Sequence, residues 1–480
     1  MQCRTCENAA KAGGAEAGGA VQQFDRGGQD MKIQIKTDRQ KMTAVMGAGF
    51  LLRLFYVLFS TIYDRQYDIG MIDLDAGHTV TGGHLAYIQY LYEHWHLPDF
   101  DPTTVYQFNH PPLHHYVSAL WLKVCSFFIH DTALLEESVQ MVPFVCSLFI
   151  LVILLKILRL LDLQERARRF LMLLFGFHPA LVLLAGSVNN DCMSLMFTLL
   201  CVYTTIAWSR NPSARNILKI AVSIALGMMT KQNVAEMAFP IALVFLYVMI
   251  TTWKKKGFPK ALLGQFALFG AVSIPLGMCF YIRNLILYDM PLVWIYTLPE
   301  DSWQYTGNVP VLNRFLWPVP SEMADNLLHF KIGCGYNVWM QIIRTSVLGE
   351  WDMADVGRSV KVLAVLLMLA GATLALAALI AFVYVFFIRH KKYSVDMPCR
   401  ILFAAGYLVN LLFYLKFVYD YPQECSMHFR YIEIELLFPA AALGFVWQDT
   451  SKKWLRYGLA AILGVFCMLS TAMIGVWCLG

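Results

Sequence analysis

The chain has 480 residues, of which 58% are hydrophobic and 15% are charged, and its mean hydropathy is +0.53. This composition is too apolar for an ordinary soluble domain, so it predicts an integral membrane protein. The net charge of +5 lies in short basic clusters between apolar runs rather than along one face, which argues against a nucleic-acid partner.

The first 40 residues are predicted to form a disordered cytoplasmic segment ahead of a membrane domain over residues 41–480. Residues 1–30 are rich in Gly and Ala and lack an apolar run, so they fit neither a cleavable signal nor a folded unit. Cys3 and Cys6 form one CxxC pair with no second pair near it, and no metal site is assigned there.

Apolar runs of bilayer length follow one another along the rest of the chain. They lie near residues 43–62, 139–161, 170–187, 192–208, 216–231, 235–253, 261–282, 358–388, 399–418, 429–447 and 455–478. We therefore expect an all-α polytopic membrane protein with about eleven transmembrane helices.

Basic clusters between these runs set the predicted orientation. The positive-inside rule places the clusters near residues 36–41, 166–169, 210–215, 254–256, 389–392 and 452–456 in the cytoplasm, together with the N-terminus. The outer side then receives loops 63–114 and 283–357 and three short turns. Parity requires that the apolar stretch 113–129, after Pro111 and Pro112, be re-entrant or interfacial. The alternative is that it crosses fully and one later span is miscounted.

The first outer loop is acidic and rich in histidine. Residues 63–114 contain seven carboxylates and six histidines against one arginine. Asp73 and Asp75 can both reach one site in a turn, where one serves as general base and the other orients the acceptor, or where both bind a divalent cation. A solvated acidic loop is the alternative. The aromatic run from Gly83 to Tyr92 has a helical pattern and is expected to lie flat on the membrane.

Three cations at the outer ends of apolar runs are exceptions to the positive-inside rule. Lys231, Arg283 and Arg430 each end a run on the same predicted side, where a bound anion would offset the cost of a cation near hydrocarbon. A phosphate on a lipid carrier is such an anion. The alternative is that these side chains snorkel to the interface or pair with carboxylates such as Asp289 and Glu424.

A polar turn, Asn189-Asn190-Asp191, separates two apolar runs on the same side. Asn and Asp are ordinary helix caps, and capping alone would explain them. Their position on the side of the acidic loop makes contact with a substrate or a metal the second interpretation.

Short motifs along residues 43–447 together resemble one enzyme class. They are Asp75 in the first outer loop, the helix from Gly83 to Tyr92, Leu97-Pro98, Phe108-Asn109-His110-Pro111-Pro112-Leu113, Ser187-Val188-Asn189-Asn190-Asp191, Met229-Thr230-Lys231, Arg283-Asn284, Tyr288-Asp289-Met290-Pro291, Gly349-Glu350-Trp351 and Arg430-Tyr431. In this order the chain resembles the GT-C membrane glycosyltransferases, especially the superfamily of protein O-mannosyltransferases and lipid A aminoarabinose transferases.

The resemblance implies a GT-C fold and an inverting transfer from a polyprenyl-phosphate sugar. Asp75 matches the catalytic base, Lys231 and Arg430 match cations near the donor phosphate, and Asp191 matches a second acidic residue. Many relatives carry Asp-Glu or His-Asp where this chain has Asp73-Leu74-Asp75-Ala76, so either aspartate can be the base. Relatives acting on lipid A often have a lysine at the position of His110, which leaves the acceptor open.

The remaining expectations concern the substrates and their surroundings. Arg283 is expected to join the donor-phosphate cations, and aromatic residues of 283–357 are expected to stack on the sugar. Further substrate contacts are expected from His84, His110, Asn190, Asp191, Asn284 and Tyr431. The acceptor is a lipid, protein or glycan, and a divalent cation is permitted but not required.

The sequence also bears on the membrane in which the protein lies and on two alternative functions. The plasma membrane of a bacterium is favoured over the endoplasmic reticulum, because the chain shows no retention signal and no large lumenal insertion, and the active site is expected on the outer face. A transporter or flippase would usually show internal repeats and broken midplane helices. A noncatalytic binder of lipid-linked sugars would share the cations but would not need Asp75.

Overall fold

The computed structural model describes residues 37–62, 71–73, 79–316, 335–351, 353, 356–389, 392–393 and 395–479. Most of the N-terminal segment predicted to be disordered therefore lies outside the described residues. Asp75 also lies outside them, and Asp73 is described by its backbone alone.

The described chain is helical apart from one hairpin, which confirms the all-α prediction. Strands β1 (Met71–Asp73) and β2 (Thr79–Gly82) pair antiparallel, with Asp73 opposite Thr79. The α-helices are α1 Thr37–Phe59, α2 His84–His94, α3 Leu113–Cys125, α4 Thr132–Glu137, α5 Met141–Leu160, α6 Glu165–Phe177, α7 Pro179–Leu183, α8 Asp191–Arg210, α9 Ala214–Met228, α10 Ala238–Lys256, α11 Lys260–Tyr288, α12 Val311–Phe315, α13 Val338–Leu348, α14 Arg358–Val383, α15 Met397–Asp420, α16 Leu437–Asp449 and α17 Lys453–Leu479. Short 3-10 helices span Pro102–Thr104, Ser138–Gln140, Gln232–Met237, Cys425–Met427, Phe429–Tyr431 and Glu433–Leu436.

Eight helices in the described ranges are long and apolar enough to cross a membrane. They coincide with eight of the eleven predicted runs, so the chain is a multi-pass helical membrane protein. The other three runs, near 170–187, 216–231 and 429–447, form shorter helices. The first is interrupted at Pro179, where a residue without a backbone N–H starts a new helix. Eight long helices and three shorter helical segments thus account for the eleven predicted runs.

The apolar stretch after the paired prolines forms α3, which begins at Leu113 directly after them. Its 13 residues extend about 20 Å, which is less than the hydrocarbon thickness of about 30 Å. That 113–129 does not cross stays a prediction, because α9 is of similar length and belongs to a predicted crossing run. Helix α2, predicted to lie flat on the membrane, packs against α3 through a small apolar core that includes Leu85, Ile88 and Leu122.

A fully buried arginine joins α1 to α6. The Arg53 guanidinium donates hydrogen bonds to the carbonyls of Gly49 at 3.0 Å, Phe175 at 3.2 Å and Gly176 at 2.7 Å. A Cβ on Gly49 would lie 3.2 Å from the Gly176 Cα, so the two backbones approach closely here. The carbonyl oxygens of Phe175 and Gly176, which lie at the end of α6, thus stabilise the cation within the bundle together with the Gly49 carbonyl.

Candidate active site

The turn at Met229–Lys231 lies at the centre of the polar residues that the sequence singled out. Helix α9 ends at Met228, and the N–H groups of Thr230 and Lys231 both donate to the carbonyl of Gly227, at 2.9 and 2.8 Å. The chain then enters the 3-10 helix Gln232–Met237, whose Val234 packs where a Cβ on Gly227 would stand. The turn therefore places Lys231 between two consecutive helices.

Backbone hydrogen bonds connect this turn to two other motifs. The N–H of Leu113, at the start of α3, donates to the Met229 carbonyl at 2.9 Å. The side-chain amide of Asn190 donates to the Thr230 carbonyl at 2.9 Å. Segments that are far apart in the sequence, near residues 113, 190 and 230, thus meet at one place.

Asp191 is the first residue of α8, where a carboxylate is stabilised by the helix dipole. Its own N–H donates to the side-chain oxygen of Asn189 at 3.0 Å, so the side chain two residues earlier fixes the turn. The carboxylate is only 3% exposed, and such a buried charge requires a cation close to it.

Two cations share the carboxylate of Asp191. The ammonium group of Lys231 pairs with Oδ1, and a guanidinium nitrogen of Arg430 lies 3.6 Å from Oδ2. Both cations also lie over the ring of Tyr431, at 4.8 Å for the Lys231 Nζ and 4.9 Å for the Arg430 Cζ. The structure thus brings four of the predicted site residues, Asp191, Lys231, Arg430 and Tyr431, into one cluster.

A glutamate and a histidine extend this cluster beyond Arg430. Oε1 of Glu350 lies 3.7 Å from Arg430 Nη2 and accepts a hydrogen bond from His428 Nδ1 at 2.8 Å. Glu350 follows Gly349, whose φ of 61° is in the left-handed region that favours glycine. Glu350 belongs to one of the motifs that carry the family resemblance, but the sequence predicted no role for it.

A buried glutamate, Glu433, also lies close to the cluster. Glu433 begins the 3-10 helix Glu433–Leu436, which packs against α8, and it is almost completely buried. Burial raises the pKa of Glu433 well above its usual value, the nearby Asp191 raises it further, and Lys231 and Arg430 oppose the shift. The raised pKa means that this carboxyl group is protonated more readily than an exposed glutamate.

Histidines from α2 and α3 form a stack beside the cluster. His84 lies against His110 and His115 with ring centroids 5.1 Å apart in both pairs, and its Nδ1 is 2.8 Å from His115 Nε2. Burial lowers the pKa of His84 and His115 well below the usual value, and the neighbouring histidines lower it further. Burial also lowers the pKa of His114 to about 4, although Asp191 opposes this shift. These imidazoles are therefore neutral at pH 7, and they serve as hydrogen-bonding groups rather than as cations.

Arg283 occupies a different position from the other two cations. Its guanidinium donates to the Pro98 carbonyl and to the side-chain oxygen of Asn284, both at 2.7 Å. Tyr288 also donates to the Pro98 carbonyl, at 3.2 Å. No contact within the described residues joins Arg283 to Lys231 or Arg430. Arg283 and Asn284 thus connect α11 to the Leu97-Pro98 turn instead of lying in the ion cluster.

Of the two aspartates predicted as candidates for the catalytic base, only Asp73 lies within the described residues. Asp73 ends β1, and the segment that contains Asp75 connects β1 to β2. Strand β2 ends at Gly82, and His84 begins α2 two residues later. Among the described residues, no group of three or more His, Cys, Asp or Glu side chains is arranged to hold a metal ion. Metal binding by the aspartates of the first loop stays a prediction.

Sequence reasoning did not assign His428, Glu350 or Glu433 to the site. His428 and Glu433 flank Arg430 within three residues on either side, and proximity to a predicted site cation was the available signal. Glu350 is far from Arg430 in the sequence, and its contact arises only when the end of α13 packs against the Phe429–Tyr431 turn. No pattern in the sequence predicts that approach.

Comparison with known families is consistent with this geometry. Residues 109–276 match the family model described as dolichyl-phosphate-mannose-protein mannosyltransferase, so the resemblance stated from the sequence is confirmed over that segment. The matched segment contains the His110–Leu113 turn, Asp191 and Lys231. No curated protein is significantly similar to the chain.

Several solved structures are similar at low identity. The oligosaccharyltransferase of Archaeoglobus fulgidus, in complex with Zn and sulfate, is 15% identical, with a TM-score of 0.49 and coverage of 90% of this chain and 53% of its own. AglB from the same organism, in complex with an inhibitory peptide and a dolichol-phosphate, is 13% identical, with a TM-score of 0.47 and coverage of 91% and 55%. ArnT from Cupriavidus metallidurans, bound to undecaprenyl phosphate, is 13% identical, with a TM-score of 0.41 and coverage of 91% and 76%. The chain thus spans about half the length of the archaeal proteins.

Proposed function

We propose that this protein transfers a sugar from a polyprenyl-phosphate carrier to an acceptor at the outer face of the membrane. The family match over residues 109–276 supports the reaction class, because the description of that family names a sugar on a dolichyl phosphate as donor. The observation that carries the proposal is the meeting of Lys231 and Arg430, about 200 residues apart, on opposite oxygens of Asp191.

The two cations form the donor-phosphate site in this proposal. Asp191 holds both side chains near each other, with Lys231 paired to one oxygen and an Arg430 nitrogen 3.6 Å from the other. A phosphate oxygen that approaches Arg430 would gain a charge-assisted hydrogen bond. The ring of Tyr431 beneath both cations limits the direction from which the phosphate enters.

Asp75 activates the acceptor hydroxyl or amine, and Asp73 is the alternative base. Asp73 ends β1, and the strand β2 that pairs with it leads into His84, whose pKa the charge of Lys231 lowers further. Attack on the face of the anomeric carbon opposite the leaving phosphate inverts the configuration. The charge that grows on the phosphate is stabilised by Lys231 and Arg430.

Arg283 contributes to this arrangement indirectly. Its hydrogen bond to the Pro98 carbonyl fixes the turn between α2 and α3 against α11. The proposal therefore assigns donor binding to Lys231 and Arg430, and it assigns the position of the first loop to Arg283 and Asn284. An N-terminus in the cytoplasm and an active site on the outer face belong to the same proposal.

Release of the free carrier tests the reaction. The purified protein in lipid nanodiscs is incubated with dolichyl phosphate mannose as the first donor, and free dolichyl phosphate is measured by mass spectrometry. We expect Asp75→Asn to slow release by about 10²–10⁴-fold, the usual contribution of a general base, while donor binding is retained. Asp73→Asn is the matched control, and the variant with the larger effect identifies the base.

The same assay separates transfer from the alternatives. Binding without release in the wild type, for every donor in a panel of prenyl-phosphate sugars, would favour a noncatalytic binder. Movement of the donor across the bilayer without release of the sugar would favour a flippase.

A further inference from the structure

His428 is held rigidly next to the donor-phosphate cations. The residue after it donates its backbone N–H to Thr345 Oγ1 at 2.8 Å, and the residue before it accepts a hydrogen bond from the Tyr414 hydroxyl at 2.7 Å. The His428 side chain is about one-tenth exposed. Two neighbouring helices, α13 and α15, thus fix the backbone on both sides of the imidazole.

Glu350 fixes the orientation of the ring. Its Oε1 accepts the His428 Nδ1–H at 2.8 Å, and the same oxygen lies 3.7 Å from Arg430 Nη2. Within the described residues no hydrogen bond uses His428 Nε2. A carboxylate that accepts from Nδ1–H fixes the ring and leaves Nε2 as the ring atom available to a bound ligand. Glu350 also lies between His428 and Arg430.

Other charged and titratable groups surround the dyad. On the elements packed against the His428 turn they are Glu350 and Arg344 at α13, Tyr414 of α15, His178 before α7, and Glu424, Arg430 and Tyr431 on the same connection. Arg344 pairs with Glu424 at 3.7 Å, so those two charges offset each other. The carboxylate in direct contact with His428 is Glu350.

We propose that His428, oriented by Glu350, is the general acid that donates a proton to the leaving phosphate. This inference rests on the function proposed above. When the bond between the anomeric carbon and the phosphate oxygen breaks, its electron pair stays on that oxygen. The proton on His428 Nε2 moves to the phosphate and makes it a monoanion. The proton of the acceptor moves to the base of the first loop as the new glycosidic bond forms, and both groups then exchange protons with solvent.

Glu350 is a positioning residue in this account, since it acts through the imidazole. His428 and Arg430 share one oxygen of Glu350, so a phosphate held by Arg430 meets the imidazole on the same side. In this account the proton donor lies on the side of the leaving phosphate, and the acceptor lies on the side of the first loop. The two proton transfers of the reaction are then performed by different groups.

The pH dependence of carrier binding tests the inference. Undecaprenyl phosphate binding to the full-length protein in phosphatidylcholine nanodiscs is measured from pH 8.5 to 6.5, a range in which imidazole ordinarily titrates. We expect the wild-type Kd to fall by about fivefold over this range, because the phosphate dianion binds best beside an imidazolium. His428→Gln should abolish the fall, and Glu350→Gln should shift it to lower pH. His94→Gln, which alters an exposed histidine bonded to the Tyr90 carbonyl, should behave like the wild type.

Each outcome has a distinct meaning. A wild-type protein that binds the carrier with no pH dependence, or a His428→Gln variant that keeps the wild-type dependence, overturns the inference and leaves the proposed function intact. A wild type that binds no carrier at any pH overturns the proposed function itself. Displacement of the carrier by equimolar inorganic phosphate would show a site for free phosphate. If His428→Gln fails to fold, the Glu350→Gln variant tests the inference instead. An unchanged pH dependence of carrier binding in that variant would overturn the inference.

Discussion

Asp191 is the residue through which the two cations of the candidate site meet. Its carboxylate pairs with Lys231 on one oxygen and approaches Arg430 on the other, and all three side chains are buried or nearly so. A charge buried without a partner is far more costly than an exposed one. The contacts of the proposed phosphate site therefore also hold α8, the Met229–Lys231 turn and the Phe429–Tyr431 turn together.

Removal of this carboxylate should destabilise the protein. We expect Asp191→Asn to lower the free energy of unfolding by about 3 kcal/mol, because two cations lose their shared partner. Asp420→Asn is the matched control: it breaks the exposed Lys416–Asp420 pair, and we expect less than about 1 kcal/mol from it. Thermal unfolding in detergent measures both, and equal shifts in the two variants would contradict the account.

The buried histidines predict a loss of stability in acid. The pKa of His114 is about 4 in the folded protein, below the usual value of 6.5, so the folded state binds fewer protons between these values. Unfolding then becomes easier as the pH falls from about 6.5 to about 4, by about 3 kcal/mol for this group. Melting curves of the wild type should shift downward over that interval.

A pair of variants isolates this histidine. His114→Gln should lose part of the acid sensitivity, whereas His94→Gln on the exposed end of α2 should keep all of it. His84 and His115 also have lowered pKa values, so some sensitivity should remain in His114→Gln. A His114→Gln melting profile identical to that of the wild type would show that His114 does not remain neutral.

At the scale of elements, short turns set the site more than long helices do. The 3-10 helix Gln232–Met237 packs so closely on the end of α9 that a Cβ at Gly227 would lie 2.4 Å from Val234 Cγ1. Lys231 lies between these two elements. The position of its ammonium group therefore depends on a glycine that has no contact with any substrate.

Gly227→Ala should weaken carrier binding through this packing. We expect the added methyl group to displace the 3-10 helix, to cost about 1–3 kcal/mol of stability and to raise the Kd for undecaprenyl phosphate. Gly264→Ala is the control, because a Cβ there meets nothing within 4 Å, and we expect it to be neutral or slightly stabilising. Unchanged binding in a folded Gly227→Ala protein would show that the turn does not position Lys231.

The same scale shows what the sequence could and could not predict. Apolar length identified the eight long spans, and the paired prolines identified the start of α3, since both signals are local. The basic clusters predict that Lys231 and Arg430 lie on the same side, and in the structure the two side chains share Asp191. The sequence did not predict the partner of Arg283, because this partner is the backbone carbonyl of Pro98 and any residue could supply a carbonyl. The His428–Glu350 contact was missed for a similar reason, as it depends on tertiary packing alone.

In the proposed orientation the unusual polar residues lie on one side of the membrane. Between successive basic clusters the chain contains two apolar runs, so this orientation requires each of the three shorter helical segments to cross as well. Helix α9 has 15 residues and extends about 22 Å, so a crossing at that position requires local thinning of the bilayer or contributions from the flanking turn.

Labelling of single cysteines tests this topology. Asp301 and Ser451 are both exposed, in the predicted outer and cytoplasmic regions. We expect an impermeant maleimide to label Asp301→Cys in intact cells and Ser451→Cys only after permeabilisation, with the parent protein giving the background of the native cysteines. Labelling of both variants in intact cells, or the reverse pattern, would invert the proposed orientation.

Carrier binding by the cation pair is the most direct test of the central claim. Undecaprenyl phosphate binding to the protein in nanodiscs is compared for the wild type, Lys231→Ala and Arg430→Ala, with Lys416→Ala as the control for loss of an exposed cation. The account predicts micromolar binding, roughly −8 kcal/mol, that each site substitution weakens by about tenfold or more and that the control leaves unchanged. Absence of wild-type binding, or binding that is indifferent to both site cations, would contradict it.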